Sequence, residues 1–108
     1  MSVSEQRAYP RIKPPPNVLV AWRSGVQRDV SYVESLGIGG LFLRTKRKVA
    51  IRSLVQILLD MPMGQVRGRG VVRRHQEHYG IAVQFIAMEP DDRGRLVRQI
   101  RDFSAPAS

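Results

Sequence analysis

Gln65-Val66-Arg67-Gly68-Arg69-Gly70-Val71-Val72-Arg73-Arg74 alternates along almost its whole length. Val66, Gly68, Gly70 and Val72 fall on one side. Arg67, Arg69, Val71 and Arg73 fall on the other. A two-residue period is the mark of a strand with one buried and one wet face. Working outward, the same short-period pattern recurs. Tyr79 to Phe85 places Ile81, Val83 and Phe85 on one face, and Ser53 to Asp60 reads as the strand before Gln65, joined to it by the turn Met61-Pro-Met-Gly64. Asn17 to Arg23 puts Val18, Val20 and Trp22 on one face. After Ser24-Gly25, Val26 to Glu34 carries Arg28, Val30 and Tyr32 together. Gly37, Gly39 and Gly40 precede the apolar run Leu41-Phe42-Leu43, and three glycines in four positions predict a bend or bulge at that strand. His75 to His78 reads as a polar turn.

Six short strands joined by tight turns predict an all-β antiparallel domain. With 108 residues, closure into a small barrel is the economical arrangement, because it leaves no open edge. The last segment changes period. Pro90 suits a first helical position, Asp91 and Asp92 suit the first turn, and Leu96, Val97, Ile100 and Phe103 form a stripe. A C-terminal α-helix over one opening or flank of the barrel is expected. Residues 1–16 form a basic arm ended by Pro14-Pro15-Pro16, which is stiff and extended. Residues 17–103 make the barrel and helix, and 104–108 a tail.

Composition narrows the function. Eighteen Lys and Arg against nine Asp and Glu give a formal charge of +9, which favours anionic partners. The absence of cysteine excludes disulfides and thiolate chemistry. No long apolar run predicts a membrane span, and the polar start carries no secretory signal, so a cytoplasmic location is expected. No Ser/His/Asp set, paired carboxylates or phosphate loop is visible, so an enzyme is not expected. His75, Glu77 and His78 in one turn, with no third His, make a poor metal site. Arg44, Lys46, Arg47 and Lys48 with the stripe Arg67, Arg69 and Arg73 would serve nucleic acid. Only 6% aromatic residues argue against single-strand binding, which needs stacking platforms.

Three blocks stand in order: Arg7-x-x-x-Arg11 in the arm, Gly39-Gly40-Leu-Phe-Leu43, and Gly80-Ile-Ala-Val-Gln-Phe85 ahead of Glu89-Pro-Asp-Asp92. The layout resembles the PilZ domain family from Gln6 to about Phe103. The spacing Arg-x-x-x-Arg recurs at Arg69 and Arg73; the place of the first pair in the arm marks it out. The resemblance implies a bacterial six-stranded barrel with a C-terminal helix that binds cyclic di-GMP. The ligand is held by Arg-x-x-x-Arg and by an Asp/Asn-x-Ser-x-x-Gly motif. Anchored on Gly40, the second motif has Ser35 in place of Asp or Asn and Gly37 in place of Ser; a bulge would be needed for Ser35 to take the Ser role. The expected ligand residues are Arg7, Arg11, Ser35, Gly37 and Gly40, and Glu34 is expected to point to the strand's other face. The ligand would order the arm and pass a signal to a protein partner. A ligand-free interaction module is the alternative and a nucleic-acid binder the third. The sequence leaves monomer or homodimer open.

Overall fold

The computed structural model describes residues 11–105. Strands β1 (Leu19–Ser24), β2 (Gln27–Gly37), β3 (Gly40–Arg44), β4 (Leu54–Met61), β5 (Gly64–Gln76) and β6 (Gly80–Ala87) precede α1 (Pro90–Ser104). They close into an antiparallel barrel in the ring order β1-β2-β3-β6-β5-β4. The alternation of the sequence sets which side chains enter it. Val18, Val20 and Trp22, Val55, Ile57 and Leu59, and Ile81, Val83 and Phe85 are all buried. Burying such side chains stabilises by about 1.5–3 kcal/mol each.

In β2 the apolar pair faces outward instead: Val30 and Tyr32 are exposed, while Ser31 and Val33 are buried. The β1–β2 register explains this, because Tyr32 pairs with the outward Leu19 and Val30 with the outward Ala21. Ser31 is tolerated inside because its hydroxyl accepts a 2.9 Å hydrogen bond from the Trp22 indole N–H. Strand β2 also runs on to Gly37, past the expected end at Glu34, and β5 runs to Gln76, so the polar turn shrinks to Glu77–Tyr79.

Three bulges interrupt the ladders; Ile86 of β6 is the extra residue of one, between the Arg69–Ala87 and Gly70–Phe85 pairs. Val33 pairs with Leu43 but Ser35 with Phe42, so Glu34 is an extra residue in β2. Val72 pairs with Val83 but Arg74 with Ala82, so Arg73 is extra in β5. Each bulge shifts the inside-outside alternation by one position beyond it.

Helix α1 begins at Pro90 with Asp91 and Asp92 in its first turn and packs against β5. Asp92 accepts the Arg67 backbone N–H at 3.0 Å. Leu96 and Ile100 are buried; Val97 and Phe103 are half-buried. The third buried residue of the helix is Gln99, whose side-chain oxygen accepts the Met63 N–H of the β4–β5 turn at 2.8 Å. None of the described helices is long and apolar enough to cross a membrane.

The arm is fastened to this body. Ile12 and Leu36 exchange backbone hydrogen bonds of 2.8 and 2.9 Å, and Pro14 is buried. Residues 1–10 and 106–108, which include Arg7 and the end of the tail, lie outside the described part.

Candidate functional site

The register carries one outward row across four strands: Ser35 of β2, Phe42 of β3, Ala82 of β6 and Arg74 of β5. Arg11 lies over the β2 end of it. Its guanidinium donates to the Ser35 hydroxyl from Nη2 at 2.9 Å and from Nε at 3.3 Å. The Ile12–Leu36 bridge, one residue on, fixes where this side chain starts. Arg11, Ser35 and Arg74 line a cavity of about 430 Å³ with Glu34, Phe42 and Tyr79.

The cavity is electrostatically divided. On one side stand Arg11 and Arg74, neither of them in an ion pair among the described residues. Burial first, and the Arg74 charge second, lower the Arg11 guanidinium below its usual range. Two cations held this way favour an anion that bridges them. On the other side Glu34 accepts a 2.6 Å bond from the Tyr79 hydroxyl and meets Arg44 at 3.5 Å. That hydrogen bond pushes the Tyr79 hydroxyl above its usual range. Arg44 sits 4.5 Å over the Tyr79 ring, a cation–π contact, and Phe42 packs beside it with ring centroids 5.8 Å apart.

Of the expected residues, Arg11 and Ser35 are brought together; Arg7 lies outside the described residues. Gly37 and Gly40 do not line the cavity. They pair with each other at the β2–β3 hairpin, and Gly40 lies against the backbone of β6 instead. Glu34 corrects the expectation of an opposite face: as the extra residue of the bulge it shares the cavity with Ser35. Arg74, and not Arg73 of the alternating stripe, reaches the cavity for the same reason. Tyr79 was legible only as a strand start. No local pattern marks it as a partner for a residue 45 positions earlier.

A family model described as "PilZ domain" matches residues 5–102. The chain belongs to the PilZ domain family. Such domains are typically non-catalytic receptors, and the family commonly binds cyclic di-GMP. Among solved structures, this PilZ domain is similar to the PilZ domain of YcgR from Escherichia coli with c-di-GMP. The TM-score is 0.74 at 16% identity, with 91% of each chain covered. It is also similar to the MrkH–c-di-GMP complex of K. pneumonia, at TM-score 0.73 and 19% identity over 89% of this chain and 50% of that one. The Bacillus subtilis inhibitor of motility MotI/DgrA gives 0.71 and 17%, over 90% and 50%. The PilZ domain thus spans about half the length of MrkH and MotI. The comparison with curated proteins gave no match.

Proposed function

We propose that this PilZ domain is a cyclic di-GMP receptor that reads the ligand on the Ser35–Phe42–Ala82–Arg74 row. The observation that carries the proposal is the pair Arg11 and Arg74 in one cavity, neither of them in an ion pair among the described residues. A phosphate of the ligand would bridge the two guanidiniums and relieve their repulsion, and an Arg fork can hold phosphate bidentately or read the O6 and N7 edge of guanine. Arg7 would add a second fork from the arm.

The family's acidic position is Ser35 here, which offers one neutral hydroxyl. The bulge supplies a replacement. Glu34 would accept from guanine N1–H and N2–H, as a carboxylate suits paired donors. Tyr79 and Arg44, which hold it at 2.6 and 3.5 Å, orient it. Because Arg11 and Ile12 already lie on the barrel, ligand-driven ordering of the arm would concern the segment ahead of Arg11. That segment would then present or cover a surface for a protein partner.

Calorimetric titration of the chain with cyclic di-GMP at moderate salt tests this. The expected result is binding at micromolar dissociation constant or tighter. Arg11→Ala should weaken it by about one to two decades, the worth of a charged hydrogen bond of 1.5–3 kcal/mol. Glu34→Gln should weaken it by about one decade, since it removes the charge but keeps the shape. An absence of heat, with no shift in melting temperature, would sink the receptor reading. The replacement of both Asp/Asn and Ser in the second motif would then favour a protein-interaction module without nucleotide.

A further inference from the structure

The opposite wall of the barrel carries a second, larger groove. Strands β1 and β4 stand three places round the ring from β6 and β3, so this wall faces away from Arg11 and Ser35. Its volume is about 840 Å³. Paired residues across β2, β1, β4 and β5 make two adjacent rows on its surface. One row is Val30, Ala21 and Leu58, ending in Arg67. The next is Arg28, Arg23 and Gln56, ending in Arg69. All these residues line the groove. Arg23 donates to Gln56 at 2.7 Å, and none of the four arginines is in an ion pair among the described residues. Val30, which the β-pattern would place inside a core, is 59% exposed here.

An apolar row flanked by unpaired cations asks for a partner with the complementary order. We infer that this groove docks an acidic amphipathic helix of a partner protein. Apolar side chains of the helix would cover Val30, Ala21 and Leu58, and its carboxylates would meet Arg23, Arg28, Arg67 and Arg69. Dimensions agree. Strands lie about 4.8 Å apart, so the three-residue apolar row spans about 10 Å, the width of an α-helix. Successive rows lie about 6.6 Å apart along a strand, close to the 5–6 Å between helix positions three or four apart.

Nucleic acid fits less well. Among the described residues Trp22 is the single aromatic of the lining, and at only 2% exposed its ring offers no stacking platform. Carboxylates of Asp29, Glu89 and Asp92 also line the groove and would oppose a run of phosphates. A helix can place its own charges between them.

The test is chemical-shift mapping of the isotope-labelled chain. The probe is a helical peptide of about three heptads with Leu and Ala on one face and Glu on the other. Its Gln-for-Glu twin and a single-stranded oligonucleotide are the comparisons. The expected result is shifts at Ala21, Arg23, Leu58 and Arg69, with Ser35 and Tyr79 unmoved, and weak or no response to the twin. Arg28→Glu with Arg69→Glu should weaken peptide binding at least about tenfold, while melting and cyclic di-GMP titration stay as in the parent chain. Equal response to the twin, shifts shared by Lys46 and Lys48, or the same map with the oligonucleotide would overturn the inference. So would silence at millimolar peptide.

Discussion

Gly40→Ala is expected to destabilise the domain by at least about 3 kcal/mol, at the upper end of what an added methyl costs in a packed interior. A Cβ at Gly40 would overlap the backbone carbonyl oxygen of Val83 and come within 3.2 Å of the Gln84 Cα. Neither neighbour can give way cheaply. Gly40 pairs with Gly37 on one side and Gln84 on the other, and β6 is itself bonded to β5. A side-chain tip could swing aside; a strand in a closed ring has to deform its ladders. For a domain of this size the loss corresponds to a drop on the order of 15 °C in melting temperature. Thermal melts of the two proteins check it. A variant melting within about 3 °C of the parent would show that β3 and β6 can separate locally. The same protein tests the glycine's role at the ligand. At low temperature, where the variant is folded, its cyclic di-GMP affinity should match the parent, because Gly40 does not line the cavity.

Trp22→Ala is expected to cost about 4 kcal/mol, since it empties the largest side chain of the core and removes the donor to Ser31. Trp22 is 2% exposed, and Ser31, its 2.9 Å acceptor, is 6% exposed. Trp22→Phe separates the two contributions. It keeps most of the volume and leaves the Ser31 hydroxyl without its donor, so the expected loss is about 1–3 kcal/mol. Urea unfolding followed by far-ultraviolet circular dichroism measures both, since the chain has a single Trp and its fluorescence goes with it. Equal losses for the two variants would mean that the hydrogen bond, and not the volume, dominates at this site.

The barrel was readable because its strands repeat a two-residue period and its glycines and prolines mark the turns. Trp22, Phe85 and the helix stripe at Leu96 and Ile100 fell where periodicity put them. What periodicity could not supply was the exception to it. Glu34 and Arg73 look like ordinary members of alternating strands, yet each is the extra residue of a bulge. Everything beyond them changes face. The cavity depends on those two slips, since they decide that Glu34, Ser35 and Arg74 share a wall. The outward turn of Val30 and Tyr32 was hidden for a related reason. A β-branched or aromatic residue suits either face of a strand, and only the pairing with β1 decides between them. Motif matching singled out Arg11 and Ser35 as candidates through their order in the chain, and their side chains meet at 2.9 Å. It offered nothing for Tyr79, whose role rests on a long-range contact with Glu34.

The two-way bond between Ile12 and Leu36 also sets a local concentration. Arg7 is four residues from Arg11, so covalent geometry alone keeps its Cα within about 14 Å of that anchored point. One guanidinium held within a sphere of that radius would correspond to roughly 0.1 M. A free cation in solution would have to reach that level to compete. In the proposed receptor the second arginine would act as a tethered reagent whose strength is tuned by leash length. Inserting residues between Arg7 and Arg11 would dilute it without altering a single contact in the barrel.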